Sequence, residues 1–207
     1  MEPIDLVFTP SVIAKQEQMG SRKAYAGSEW PTVITEDFAA FVETRDSFYL
    51  ATASAAGVPT IQHRGGPPGF LKVLGPKTLA FADFRGNRQY ITVGNLAENG
   101  RVCLFLMDYP GRQRVKVWGR ARAADDPALI ARLMPEGIKA KAERAIVIDV
   151  ELWSSNCPQH ITPRYTADVI DAAMVKLKER ILELEAEIER LKNAAPTALP
   201  DRPKAAT

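Results

Sequence analysis

The sequence predicts one mainly β domain with flanking helices, of the meander or Greek-key barrel type, followed by a coiled-coil helix. From Ser47 to Phe84, short segments rich in β-branched and aromatic residues alternate with glycine- and proline-containing turns. Two longer strand-like segments lie between Arg101 and Ala124. After Arg164, apolar residues recur at alternating steps of four and three, which is the heptad spacing of coiled coils.

The size and composition are those of an ordinary globular protein. The chain has 207 residues, of which 46% are hydrophobic and 25% are charged, which is enough for one sizeable core. Its formal net charge of +2 creates no field that would attract nucleic acid or a membrane surface. No apolar run approaches the roughly 20 residues that span a bilayer. We therefore expect neither nucleic-acid nor membrane partners.

The N-terminal sequence and the cysteines predict a cytoplasmic protein. The first residues lack the basic and apolar regions of a signal peptide. Cys103 and Cys157 have no CxxC partner, and we expect both to be reduced thiols. His63 and His160 are the only histidines, so we expect no histidine-rich metal site.

Two helices precede the β-rich region, and we assign residues 1–34 to an N-terminal extension. Thr9 and Pro10 have the pattern of an N-cap followed by proline at the first helical position, and Gly20 closes that helix. Thr35 caps a second helix, which has acidic residues in its first turn. The apolar face of this second helix contains Phe38, Phe41 and Val42.

Residues 35–164 form the predicted β domain. Its strand candidates are SFYLATAS, VPTIQHR, GFLKVLG, TLAFADF, RVCLFLMDY, RVKVWGRARAA and AIVIDVELWS. A helix is predicted from Gly86 to Glu98, and a shorter one, PALIARLM, before the last strand. Alternation of apolar and polar residues is poor in several strands, as expected where both faces of a small barrel are covered.

Two segments combine arginines with residue types that hold a phosphate. The first, QHRGGPPGFLK, contains Arg64, and its glycines allow backbone to approach a ligand closely. The second, RGNRQ, ends at Gln89, where free amides at a helix start attract anions. Taken alone, each also fits a structural role, as a tight hairpin or as a helix capped by Asn87. Because a single strand separates them, they can converge on one phosphate.

The same segments carry a resemblance to a known family. HRGGPPGFLKVL, TLAFADFRGNRQ, NLAENGRVCLFL and RVKVWGRA resemble the FMN-binding domain of the pyridoxamine 5′-phosphate oxidase superfamily, over roughly Phe38 to Pro163. The resemblance implies an FMN-binding split β-barrel, with FMN held between the two subunits of a homodimer. It also implies an FMN-dependent oxidoreductase that acts on a small molecule, with NAD(P)H as a candidate electron donor.

The resemblance also implies roles for individual residues. Arg64, Lys72 and the run from Gly86 to Gln89 would hold the ribityl phosphate, and Arg114 would approach from the partner subunit. The stretch from Phe81 to Asp83 would line the ring and the ribityl chain. The cofactor-binding residues predicted from the sequence are His63, Arg64, Gly65, Lys72, Phe81, Asp83, Gly86, Asn87, Arg88, Gln89, Arg114 and His160. We assign no catalytic side chain, because the flavin performs the electron transfer.

The resemblance ends near the C-terminus of the domain. There the oxidase itself carries an arginine- and histidine-containing segment that binds pyridoxamine phosphate, whereas this chain has WSSNCPQHITPR from Trp153 to Arg164. We therefore do not expect vitamin B6 synthesis. We expect Asn156 and His160 to cover the edge of the flavin, the alternative being hydrogen bonding within their own loop.

Other functions also fit the sequence. Split barrels accept deazaflavin as well, so a deazaflavin-dependent reductase is one alternative. A flavin- or haem-binding protein without turnover, used for storage or sensing, is another. A coiled-coil adaptor whose barrel binds nothing is the third.

Residues 165–193 predict a coiled-coil helix, and residues 194–207, rich in proline and alanine, predict a disordered tail. The a positions of the heptads are Met174, Ile181 and Ile188, and the d positions are Ile170, Leu177, Leu184 and Leu191. β-Branched residues at a with leucine at d favour a parallel two-stranded coil. The alternative is a single amphipathic helix that lies on its own barrel.

Overall fold

A computed structural model describes residues 3–155 and 158–194 and divides into two units, Met1–Pro163 and Arg164–Thr207. Within these ranges the first unit contains a seven-stranded antiparallel sheet. Its strands are β1 (Ser47–Ala53), β2 (Pro59–Gly65), β3 (Lys72–Gly75), β4 (Thr78–Phe84), β5 (Arg101–Asp108), β6 (Gln113–Ala124) and β7 (Ala142–Ser155). Their order across the sheet is β2-β1-β5-β6-β7-β4-β3. Because β5, β6 and β7 lie between β1 and β4, the sheet is more complex than a meander.

Within the residues described, this unit also contains a short 3-10 helix (Pro3–Leu6) and five α-helices. They are α1 (Pro10–Gln18), α2 (Arg22–Tyr25), α3 (Glu36–Glu43), α4 (Ile91–Glu98) and α5 (Pro127–Leu133). The predicted caps of α1 and α3 are confirmed. Thr9 Oγ1 accepts a hydrogen bond from the Val12 amide at 3.4 Å, and Thr35 Oγ1 accepts one from the Phe38 amide at 3.3 Å. None of the described helices is long and apolar enough to cross a membrane.

The central strands are covered on both faces, which explains their poor alternation. In β4, Leu79 and Phe81 belong to the main core, whereas Ala80 and Ala82 belong to a smaller cluster beneath α5. Phe38 of α3 closes the main core and stacks on Trp153, with ring centroids 4.5 Å apart. A strand buried on both faces reads as a continuous apolar run.

The N-terminal extension packs against the sheet. The indole nitrogen of Trp153 donates to the carbonyl of Val33 at 2.8 Å, and its backbone amide donates to Pro31 at 3.0 Å. Trp30 stacks on Trp118 of β6, with ring centroids 5.6 Å apart. These contacts tie the extension to β6 and β7.

One helix prediction was wrong at its start, because α4 begins at Ile91 rather than at Gly86. Arg88 and Tyr90 have φ angles of 63° and 53°, in the left-handed region that interrupts a helix. The Asn87 side chain accepts from the Gln89 amide at 3.1 Å, so it closes a turn before the helix instead of capping it.

The second unit contains α6 (Ala167–Ala194), which has no buried residue. In the first unit Cys103 is a half-buried free thiol. The predictions for Asn156, Cys157 and most of the tail fall outside the described residues.

Gly119 lies at the irregularity where β6 pairs with β7, and a Cβ there would overlap the carbonyl of Asp149. We expect Gly119→Ala to lower the free energy of unfolding by about 1–3 kcal/mol, the usual cost of overpacking. Gly94→Ala is the control, because a Cβ at Gly94 meets nothing within 4 Å. Removing this helical glycine is expected to stabilise the protein by up to about 1 kcal/mol. Urea unfolding measures both, and equal effects would contradict the prediction.

Candidate functional site

A small pocket lies where β2, the end of β4 and the start of α4 meet. We call it the β4–α4 pocket. Its volume is about 80 Å³, which suits a phosphate group rather than a flavin ring. Six predicted site residues line it, namely Arg64, Asp83, Gly86, Asn87, Arg88 and Gln89. The other lining residues are Gln62, Phe84, Tyr90, Ile91, Thr92, Val93 and Glu143. The two arginine-containing segments therefore meet in one pocket.

The first turn of α4 forms one wall of this pocket. Ile91, Thr92 and Val93 line it, and Tyr90 at the N-cap position provides no side-chain hydrogen bond to the helix. The first amides of a helix have no intrahelical acceptor. Together with the helix dipole they favour an anion at this position.

Arg64 bridges β4 and α4 from the end of β2. Its Nη1 donates to Asp83 Oδ1 at 3.1 Å, and its Nη2 donates to Thr92 Oγ1 at 2.9 Å. Its guanidinium also lies over the Phe81 ring, 5.8 Å from the centroid. The Nε atom is buried and has no hydrogen-bond partner among the described residues. A buried donor without an acceptor is costly, so Arg64 has capacity for a ligand.

Asp83 is a buried carboxylate between two arginines. Only 8% of the residue is exposed, and its second oxygen lies 3.8 Å from Arg144 Nε. Burial raises the pKa of the Asp83 carboxyl and is the largest effect. The charges of Arg64 and Arg144 lower the pKa, and the charge of Glu143 raises it, so that the net pKa is raised. Asp83 therefore orients Arg64, but its negative charge also opposes an anion in the pocket.

Arg88 supplies a positive charge that is not already engaged. It lines the pocket in the exposed turn before α4 and makes no hydrogen bond or ion pair with the part of the chain that is described. Its neighbour Asn87 is engaged in the turn with Gln89. Arg88 is thus the arginine most available to a ligand in this pocket.

A second pocket of about 160 Å³ adjoins the first. We call it the β2–β4 pocket. It is lined by His63, Arg64, Gly65, Phe70, Phe81, Ala82, Asp83 and Phe84. Three more predicted site residues, His63, Gly65 and Phe81, therefore lie beside the first group. Arg64 and Asp83 line both pockets, so the two pockets lie side by side.

Three predicted residues line neither pocket. Lys72 pairs with Ala80, which places it on the α5 face of the sheet, opposite to Phe81 and Asp83. Arg114 lies on β6 with a buried Nε that has no partner in the described ranges. His160 is exposed in the turn after β7, with a φ angle of 62°.

The sequence did not reveal Arg144 and Thr92 as site residues. Arg144 lies directly opposite Asp83 in the β4–β7 register, so its role depends on a pairing between strands that are distant in the chain. It also lies over the ring of Tyr90, 5.5 Å from the centroid. The position of Thr92 was only a weak indication of a site residue, since a hydroxyl in the first turn of a helix can accept a hydrogen bond.

The described residues hold no group of three or more histidine, cysteine, aspartate or glutamate side chains suited to a metal ion. The arrangement of donors instead suits an anionic group. Two arginines and a helix N-terminus are the usual elements of a phosphate site.

The chain belongs to the pyridoxamine 5′-phosphate oxidase family. The family model described as pyridoxamine 5′-phosphate oxidase matches residues 34–157, which is more than half of the chain. This match confirms the family predicted from the sequence motifs. No curated protein sequence matches the chain.

The predicted split-barrel fold with flanking helices is confirmed by the family match, and one solved structure agrees with it. HupZ from Group A Streptococcus is 16% identical, with 64% of this chain and 99% of that chain covered and a TM-score of 0.50, a likeness that shows the fold alone. Two further structures are similar with TM-scores below 0.5. An FMN-binding protein from Syntrophomonas wolfei is 13% identical, with 71% and 95% covered and a TM-score of 0.48. An F420 reductase is 22% identical, with 58% and 98% covered and a TM-score of 0.43.

Asp83→Asn tests the balance of charge in the site. Asparagine keeps an oxygen that accepts from Arg64 and removes the buried charge. Because folding raises the pKa of the Asp83 carboxyl, this group stabilises the folded state at a pH below 3.8, its ordinary pKa. This stabilisation is lost as the pH rises through the raised pKa. The variant should therefore be at least as stable as the wild type at neutral pH. It should bind inorganic phosphate about tenfold more tightly, since a like charge is removed.

The control for this variant is Asp149→Asn, which neutralises an exposed carboxylate paired with Arg122. It should change neither property appreciably. Thermal unfolding and isothermal titration with inorganic phosphate measure the two effects. Weaker binding by Asp83→Asn, or a large loss of stability, would show that the ion pairs of Asp83 outweigh its burial.

Proposed function

We propose that the protein is a homodimeric FMN-dependent oxidoreductase that acts on a small molecule. This proposal rests on one observation: the N-terminus of α4, Arg64 Nε and Arg88 converge on one pocket of phosphate size, and neither Arg64 Nε nor the Arg88 side chain has a partner within the described part of the chain. Membership of the pyridoxamine 5′-phosphate oxidase family supports the same cofactor.

The charges around the β4–α4 pocket fit a phosphomonoester. Its two carboxylates are already paired, Asp83 with Arg64 and Arg144, and Glu143 with Arg144 and Arg85. With Arg88, four arginines and two carboxylates lie in or beside the pocket, a formal excess of two positive charges. A phosphomonoester carries about −1.5 to −2 charges at pH 7. The charge around the pocket therefore matches that of a phosphomonoester.

The β2–β4 pocket would receive the part of the cofactor next to the phosphate. Phe70 and Phe81 provide an apolar surface there, and His63 provides a polar edge. When bound, FMN supplies hydride or electron transfer, and the residues of this chain bind and orient it. The protein therefore needs no nucleophilic side chain of its own.

Arg114 belongs to the proposal as a contribution from the second subunit. Its Nε is buried without an acceptor in the described chain, which leaves a donor available to a ligand of the neighbouring molecule. Lys72 and His160 stay predictions that the same titrations can test.

Arg88→Ala tests the phosphate contact. A hydrogen bond to a charged group contributes about 1.5–3 kcal/mol, so FMN should bind roughly ten- to hundredfold more weakly to the variant. Riboflavin lacks the phosphate and should bind equally well to both proteins. Arg122→Ala is the matched control, because Arg122 forms an exposed ion pair on β6. Fluorescence titration of both ligands measures the affinities, and an equal loss for both would argue that Arg88 supports the fold.

The spectrum of the purified protein separates FMN from the other cofactors. Flavin bands would support the proposal, whereas a Soret band would indicate haem and a deazaflavin spectrum would indicate the related reductase. Anaerobic titration with NADH or NADPH then tests turnover. A bound flavin that neither donor reduces would point to storage or sensing.

A further inference from the structure

The apolar stripe of α6 lies on a helix without a covered face. The helix runs without interruption from Ala167 to Ala194, and none of its residues is buried. The a and d residues, which we call the α6 seam, are each 44–56% exposed. The α6 seam consists of Ile170, Met174, Leu177, Ile181, Leu184, Ile188 and Leu191.

A stripe of this kind requires a partner. In proteins, most helical stability comes from packing of the apolar face of the helix. The seam repeats every 3.5 residues over its whole length, which produces a narrow line suited to another helix rather than a broad face suited to a sheet. The partner is therefore best sought among helices with the same repeat.

The charges beside the seam match those of a second copy. In a parallel, in-register pair, Arg180 at g faces Glu185 at e of the other copy, and Glu187 at g faces Lys192 at e. Two-fold symmetry makes each pair occur twice. A shift by one heptad in either direction brings like charges together, as Arg180 then faces Lys192 or Lys178. Charge therefore selects one register among the parallel arrangements.

One antiparallel arrangement also places opposite charges together. The residue types along the α6 seam distinguish this arrangement from the parallel one. In that arrangement Arg180 faces Glu187, and Lys178 faces Glu185, with Ile181 packed against Leu184. Each core layer of an antiparallel pair contains an a residue from one helix and a d residue from the other. The chain instead separates isoleucine at a from leucine at d over its central heptads, as parallel two-stranded coils do.

We propose that α6 pairs with α6 of a second copy of this chain as a parallel, in-register, two-stranded coiled coil. In the single chain, Arg180 pairs with Glu183 at 2.7 Å and Glu187 pairs with Arg190. Both are exposed ion pairs within one helix, which contribute little to stability. The same side chains can therefore form ion pairs with the second copy instead.

Disulfide cross-linking of the full-length protein tests this proposal. Leu177→Cys is introduced after both native cysteines are replaced by serine. In the parallel pair the two introduced thiols lie in one layer, and mild oxidation should link most of the chains. Ala186→Cys is the control, because position f faces away from the partner and should give about tenfold less product. The absence of a product specific to Leu177→Cys would overturn the proposal.

A charge exchange tests the register and the orientation. In the Leu177→Cys protein at equilibrium with glutathione, Arg180→Glu should lower the yield of linked chains about five- to tenfold by placing two glutamates together. Adding Glu185→Arg should restore the yield in a parallel pair. In the antiparallel pair the two introduced thiols lie in different layers, and Glu185→Arg places a positive charge against Lys178, so the yield would stay low. Restoration supports the proposal, and a yield that stays low overturns it; neither result depends on flavin.

Discussion

The ion pair between Arg64 and Asp83 connects parts of the sheet that the strand order separates. β2 lies at one edge of that order and β4 lies next to the other edge, yet Arg64 Nη1 and Asp83 Oδ1 are 3.1 Å apart. The stacked and edge-to-face rings of Phe48, Phe70 and Phe81 lie beneath the same junction. The sheet therefore curves until its edges approach, and the candidate site lies where they meet.

This junction explains why the candidate site suits an anion. Asp83 orients Arg64 toward Thr92 and α4, but Arg64 Nε has no acceptor in the described ranges. Burial makes the Asp83 charge costly, which is why its pKa is raised despite two neighbouring arginines. An incoming phosphate would supply that acceptor. The same contacts thus close the barrel and leave donors for a ligand.

The sequence predicted the elements whose signals are local. The caps of α1 and α3 and the strands follow from adjacent residues, and the two arginine-containing segments were expected to meet. The start of α4 was not predicted, because Arg88 and Tyr90 take left-handed angles without being glycine. Arg144 was missed, because it reaches Asp83 only through the pairing of β4 with β7. The face of the sheet on which Lys72 lies likewise depends on the register between β3 and β4, since a shift by one residue moves every side chain of a strand to the opposite face.

A crystal structure of the protein grown with FMN would show whether the β4–α4 pocket holds the phosphate. We expect the phosphate in this pocket, within hydrogen-bond distance of the first amides of α4 and of Arg88, with Arg64 Nε donating to the ligand. The Arg64–Asp83 pair should persist in that complex, since it orients the arginine. A flavin whose phosphate lies elsewhere, with this pocket left empty, would show that the β4–α4 pocket is not the phosphate site.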